Sequence, residues 1–214
     1  MPPNSFKYLS PLNYTVSQHK KTLLLDLDET LVHSEPCSLG MWEFNRKGGA
    51  EVWVTNRHRI SFMVRGWLFE FLKCVSQFYE IAVFTASSAD YANAIVDTID
   101  PKRVYVKEVL SRDACSSVVS SVIDQVYTKE LSVIKNRNIN DIVLVDNSFW
   151  SGITQMDNFI PIKTFKGDKN DKELKKLAAF LIEIKDSELL PCVRERFKFR
   201  QIWDMLIQNI PILN

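Results

Sequence analysis

Three short apolar runs organise the chain: Thr22-Leu23-Leu24-Leu25, Ile81-Ala82-Val83-Phe84 and Ile142-Val143-Leu144-Val145. Each is too brief for a helix and is cut off by a polar residue, Asp26, Thr85 and Asp146 in turn, which predicts strands buried on both faces. Helical spacing fills the intervals, with Leu68, Phe71, Leu72, Val75 and Phe78 in one segment, Tyr91, Ile95, Val96 and Ile99 in the next, and Leu174, Leu177, Leu181 and Ile184 near the end. Ser87, with Asp90 three residues on, supplies a capping signal for the second segment. Strands alternating with helices predict an α/β fold, a doubly wound parallel sheet whose ligands sit at the carboxyl ends of its strands.

One interval breaks the rhythm. From Met41 to Val64 the pattern becomes period two (Trp42 and Phe44, then Val52, Trp53 and Val54, then Ile60, Phe62 and Val64), with Gly48-Gly49 as a turn. This predicts a small three-stranded antiparallel insertion after the first strand. Its aromatics Trp42, Phe44, Trp53 and Phe62 either form the insertion's own packing face or line a substrate pocket beside the sheet edge it overhangs. Residues 1–20, with Pro2, Pro3 and Pro11, read as an irregular lead-in, and the apolar stretch within 198–214 (Trp203, Leu206, Ile207, Ile210) as a docking helix.

Composition narrows the class. The 214 residues are 46% hydrophobic and 25% charged, which suits one soluble domain of good size. Lys plus Arg is 27 against Asp plus Glu 26, and a net charge of +1 offers no global field for nucleic acid or an anionic membrane. Cys37, Cys74, Cys115 and Cys192 lie far apart, with no C-x-x-C pair and no apolar leader, so reduced thiols in the cytoplasm or nucleus are expected. No apolar run approaches the ~18 residues of a membrane span. A Cys-nucleophile phosphatase loop, a Walker loop, G-x-G-x-x-G and H-E-x-x-H are all missing from the sequence.

The chemistry concentrates in Leu24-Leu25-Asp26-Leu27-Asp28-Glu29-Thr30. Residues two apart on an extended backbone face the same way, so Asp26 and Asp28 enter one cavity while Leu27 turns back. Two carboxylates in one site repel unless a cation or a retained proton intervenes. Thr85 and Asp146-Asn147 end two further apolar strands at the same edge, and Lys129 lies on the segment between them. Four polar positions gathered at one sheet edge exceed what helix capping accounts for.

The stretches DLDETLVHS, FTAS (84–87), YTKEL (127–131) and VDNS (145–148) resemble the aspartate-nucleophile phosphatases of the haloacid dehalogenase superfamily. More narrowly they resemble its small C-terminal-domain phosphatase branch, the NLI-interacting-factor-like family with its nuclear-envelope members. The resemblance covers roughly Lys21 to Phe197, with the β insertion at about 41–64 and no interval long enough for a large cap domain. It implies a Mg²⁺-dependent protein serine/threonine phosphatase working through an aspartyl-phosphate on phosphopeptide segments, the RNA polymerase II C-terminal domain among them. By that resemblance Asp26 is the nucleophile, Asp28 the general acid and then base, and Lys129 the group that neutralises the phosphoryl group and orients Asp26. Thr85 holds a phosphoryl oxygen together with the backbone of Ala86 and Ser87, and Thr30 belongs to the same substrate-binding set. Magnesium is held by the Asp26 carboxylate, the Asp28 backbone carbonyl and the Asn147 side chain, with Asp146 a direct or indirect partner.

Charge counting agrees. Three ionised aspartates balance Mg²⁺ and one lysine, and a proton on Asp28 leaves the pocket positive toward a phosphate dianion; a mildly acidic optimum follows. The sequence departs from the family's usual pattern at Asp124, where an Arg is common, at Arg65-Gly66 in place of Arg-Pro, and at Phe149-Trp150, where Pro is common. His33 and Cys115 are read as structural, and Arg194, Arg196, Lys198 and Arg200 as a solvated helix face. The competing readings are a small-molecule phosphatase of the same superfamily and a non-catalytic binding module like the mitochondrial import receptor that resembles this domain.

Overall fold

The computed structural model of the protein describes residues 21–34, 52–55, 60–118 and 125–208. In chain order these form β1 (Thr22–Leu25), β2 (Val32–Ser34), β3 (Val52–Val54), β4 (Ser61–Val64), α1 (Leu68–Val75), β5 (Glu80–Phe84), α2 (Ala89–Ile99) and β6 (Val106–Leu110). There follow β7 (Ser116–Val118), β8 (Val126–Thr128), β9 (Ile142–Asp146), β10 (Phe159–Pro161), α3 (Glu173–Glu183), α4 (Leu189–Phe197) and α5 (Phe199–Gln208).

The three apolar runs are the three central strands of a five-stranded sheet in the order β10-β9-β1-β5-β6, every neighbouring pair parallel. Their continuous hydrophobicity follows from the pleat. Leu23 and Leu25, Ile81 and Val83, Val143 and Val145 enter one apolar cluster, while Leu24, Ala82, Phe84, Ile142 and Leu144 enter another. The first cluster is filled by the buried stripes of α1 to α4, including Phe71, Ile95, Leu177 and Val193. The second is closed by short pieces, Leu110, Ala114, Leu131, Ile134 and Phe159, with Phe199 of α5 packed on it. Each such buried side chain contributes about 1.5–3 kcal/mol relative to exposure.

The antiparallel insertion exists as a three-stranded sheet, β2-β4-β3. Its first strand is Val32–Ser34, directly behind the Asp26 turn, whereas the expected first strand and the Gly48-Gly49 turn fall outside the described residues. Trp42 and Phe44 also lie outside them, as does the side chain of Trp53. Phe62, expected as a possible pocket residue, is instead 1% exposed and belongs to the main core. The tail is helical over Phe199–Gln208. It is separated from α4 by Lys198 in a left-handed conformation (φ 50°) and pinned by Phe199 against Phe159, ring centroids 4.6 Å apart. The basic stretch is solvent-facing, Arg194 and Arg200 reaching Asp157 at 3.3 and 3.4 Å.

Arg65, at the end of β4, is fully buried. Its Nε and Nη2 donate to the two Asp171 oxygens at 2.9 and 2.8 Å, Nη1 to the Thr30 carbonyl at 2.9 Å, and Nη2 also to the Lys163 carbonyl at 2.6 Å. One guanidinium thus ties the turn after β1 to the loop after β10. Partial burial works against ionised Asp171, but the Arg65 hydrogen bonds, the Glu173 amide and the Arg65 charge outweigh it and hold its pKa below the ordinary 3.8. A depressed folded-state pKa gives stability that is complete above the unfolded value and fades as pH falls through the folded one. Asp171→Asn leaves the buried Arg65 guanidinium without its carboxylate partner, which is expected to cost about 3–5 kcal/mol at neutral pH. In urea unfolding that difference should shrink as pH drops below about 4; a pH-independent difference would contradict the assignment.

Candidate active site

The carboxyl ends of β1, β5 and β9 present Asp26, Thr85 and Asp146 side by side. The Asp26 amide still donates to the Val145 carbonyl at 2.9 Å, so the residue is held in register one step past β1. The chain then turns: Leu27 is fully buried, its carbonyl accepts from the Leu31 and Val32 amides, and Glu29 takes a left-handed φ of 56°. Both Glu29 backbone groups are engaged, its amide with the Val32 carbonyl and its carbonyl with the Phe165 amide, each at 2.7 Å. That over-determination pays for the unfavourable conformation. Asp26 and Asp28 both emerge into one cleft of about 630 Å³.

Lys129, just after β8, crosses to this cleft with only 2% of its surface exposed. Its Nζ lies 2.6 Å from Asp26 Oδ1 and 2.5 Å from Asp146 Oδ2, while Asp146 Oδ1 accepts the Ser148 amide at 2.7 Å. Burial opposes the ammonium charge, yet the two carboxylates hold the lysine well above its ordinary range. One cation cannot balance two buried carboxylates. Burial accordingly pushes Asp26 up to about 7, opposed by Lys129 and assisted by Asp146. A further positive charge beside Asp26 would relieve that excess.

Asp28 is gripped differently. Ser87 Oγ donates to its Oδ2 at 2.6 Å and Tyr91 Oη to its Oδ1 at 2.5 Å, with Thr85 Oγ1 at 3.5 Å. The Ser87 amide in turn donates to Thr85 Oγ1 at 3.0 Å. Ser87 is thus a cleft residue and not the helix cap expected from its spacing to Asp90; Ser88 takes the N-cap position of α2. Ala86 lines the cleft, its carbonyl accepting from Arg112 Nε at 2.6 Å.

Asn147 lines the cleft with its Oδ1 accepting from Thr30 Oγ1 at 3.2 Å. Thr30, expected to touch substrate, is fully buried and outside the cleft lining. Its hydroxyl donates to Asn147 Oδ1 and also bears on the Asp26 carboxylate, favouring its ionised form. The Asp26 carboxylate, the Asp28 backbone carbonyl and the Asn147 amide oxygen are the groups of these cleft residues that could hold a metal, all of them oxygens. Among the described residues no three His, Cys, Asp or Glu side chains form a cage. Hard donors, few in number, suit a magnesium-like ion that keeps several waters.

Ser34, Tyr91, Arg112, Tyr127 and Trp150, none of them expected as site residues from the sequence, also line the cleft. Tyr91 belongs to the apolar stripe of α2 and its ring packs on the core, but its hydroxyl also meets Ser34 Oγ at 2.6 Å. Arg112 lies over the Tyr127 ring, 5.5 Å from its centre. His33 is paired with Glu29 at 3.1 Å, and burial pushes the Cys115 thiol up to about 11, consistent with structural roles.

Comparison with known proteins follows the same residues. The family model of the NLI interacting factor-like phosphatases matches residues 21–191. CTD small phosphatase-like protein 2 of Dictyostelium discoideum is 38% identical over 87% of this chain and 31% of its own length. CTD small phosphatase-like protein 3 of Caenorhabditis elegans is 33% identical over 87% of the chain and 62% of its own. CTD nuclear envelope phosphatase 1B of Danio rerio is 34% identical over 81% and 71%. The chain thus spans less than two thirds of the first two relatives. The solved structure of Fcp1, described as an essential RNA polymerase II CTD phosphatase, superposes with a TM-score of 0.53 at 20% identity, covering 89% of this chain and 54% of that one, and shares the fold. The family match over most of the chain, together with these relatives, shows that this protein belongs to the NLI interacting factor-like phosphatases.

Proposed function

We propose that the chain is a Mg²⁺-dependent protein serine/threonine phosphatase, its catalytic unit spanning residues 21–197. The observation that carries this reading is the Asp26 carboxylate at the mouth of β1, held 2.6 Å from a buried lysine that also binds Asp146. Asp26 attacks phosphorus in line, and the bond from phosphorus to the serine or threonine oxygen breaks as the Asp28 carboxyl delivers its proton to that oxygen. Water then attacks the aspartyl-phosphate and gives its proton to Asp28, which releases inorganic phosphate and restores Asp26. Lys129 keeps Asp26 from swinging away and offsets phosphoryl charge. Thr85 and the Ala86 amide would face the phosphoryl oxygens, the Ser87 amide holding the Thr85 hydroxyl in place.

A divalent cation would be held by the Asp26 carboxylate, the Asp28 backbone carbonyl and Asn147, with Asp146 acting through Lys129. When bound, it supplies the positive charge that lets a phosphate dianion approach a carboxylate. The substrate class is phosphoserine or phosphothreonine segments of proteins. The RNA polymerase II C-terminal domain, which the description of Fcp1 names, is the first to test. Among the described residues no helix is long and apolar enough to cross a membrane, and a cytoplasmic or nuclear place of action is part of the proposal. The purified chain should hydrolyse p-nitrophenyl phosphate with Mg²⁺ and lose at least about 100-fold of that rate in EDTA. Turnover that persists in EDTA contradicts the metal requirement, and no turnover under any condition favours the binding-module reading.

A further inference from the structure

The rim of the cleft beside Asn147 carries an aromatic cluster that the phosphoryl chemistry does not use. Trp150 lines the cleft, Phe149 beside it is 44% exposed, and their ring centroids are 4.8 Å apart. From α5, Trp203 closes on both, 5.7 Å from Phe149 and 5.8 Å edge-on to Trp150. The support beneath is stiff. The Ser151 amide caps back to the Ser148 carbonyl, and the Ser151 carbonyl accepts the Lys129 amide, both at 3.1 Å. Gly152 sits so close to β10 that a Cβ there would stand 2.1 Å from the Phe159 ring. The same turn therefore fixes the lysine that holds Asp26 and the indole at the rim.

We propose that Phe149, Trp150 and Trp203 form a docking subsite for an aromatic side chain of the phosphopeptide, within three residues of the phosphorylated one. The proposal rests on the phosphatase reading. Its occupant follows from place and shape: the platform is continuous with the cleft that takes the phosphoryl group, and an extended chain advances about 3.3 Å per residue, so a near neighbour of the phosphoresidue passes over it. Rings meeting at tilted and edge-on angles are the packing that aromatic side chains favour. Because the indole is held before substrate arrives, little ordering cost opposes binding.

The test uses the full chain carrying Asp26→Asn, so that phosphopeptides bind without being consumed. Affinities are measured by calorimetry for phosphoserine peptides with Phe, or Ala, at each position from three before to three after the phosphoserine. At one or two positions Phe should bind about ten-fold tighter than Ala. That preference should fall below about two-fold when Trp150→Ala or Trp203→Ala is added. Phe149→Ala, at the most exposed of the three, should lower it with an unchanged melting temperature, which separates the subsite from a folding defect. Equal affinity for Phe and Ala everywhere, a preference that survives all three variants, no peptide binding, or a cluster found covering a second copy of the chain by sedimentation would each overturn the proposal. Turnover of the same peptides by the unmodified chain reads the phosphatase assignment separately. A Phe preference without turnover keeps the subsite and rejects the catalysis.

Discussion

Asp26→Asn is expected to lower kcat by roughly 10⁴-fold or more on every phosphomonoester, because the amide is a poor nucleophile and among the described residues no neighbouring carboxylate is placed to replace it. Asp28 cannot step in: its oxygens are held by Ser87 and Tyr91. Asp146 cannot either, since it is 1% exposed and bound by Lys129 and the Ser148 amide. The folded state should survive the change or gain from it. One buried cation then faces one buried carboxylate, and the group that burial, with Asp146 assisting, raises to about 7 is replaced by a neutral amide. Steady-state kinetics beside thermal melting checks both halves. A variant that keeps a tenth of the wild-type rate means that another residue is the nucleophile.

Lys129→Ala is expected to fail on both counts. Two carboxylates that now meet one ammonium at 2.6 and 2.5 Å would share a buried pocket with no counter-charge. Breaking a buried pair in this way costs about 3–5 kcal/mol. Loss of the charge facing the phosphoryl group should cost a further factor of about 10²–10³ in kcat. Lys129→Arg discriminates charge from geometry. A planar guanidinium is bulkier and forks, so it should recover much of the stability and little of the rate. The checks are urea midpoints for the three proteins and kcat with saturating Mg²⁺; a fully stable, fully active alanine variant would show that the ammonium plays neither part.

What the sequence disclosed depends on how local each signal was. β1, β5 and β9 were legible because strands buried on both faces leave uninterrupted apolar runs. The edge strand β6 was not, since exposed Lys107 and half-buried Glu108 interrupt its apolar run, and three-residue β10 offers too little pattern to read. In the insertion the period-two pattern marks the sheet, but its first strand, Val32-His33-Ser34, lies inside the DLDETLVHS motif and is too short to show a period of its own. The residues brought together most tightly, Asp26, Lys129 and Asp146, each end or follow a strand, and motif order placed them at one edge. Tyr91 and Ser34 escaped because their hydroxyl contact spans 57 residues of chain and Tyr91 also satisfies the apolar stripe of its helix. Thr30 is placed by the motif, and the structure buries it fully with its hydroxyl donating to Asn147 Oδ1.

Rapid-quench mass spectrometry is the most direct measurement. Mixed with Mg²⁺ and a phosphopeptide and quenched in acid within one turnover, the protein should gain a single acid-stable, base-labile phosphoryl group, and fragmentation should put it on Asp26. A label on any other residue, or a full burst of phosphate with no label on the protein, would mean that the carboxylate at the end of β1 does not carry the phosphoryl group.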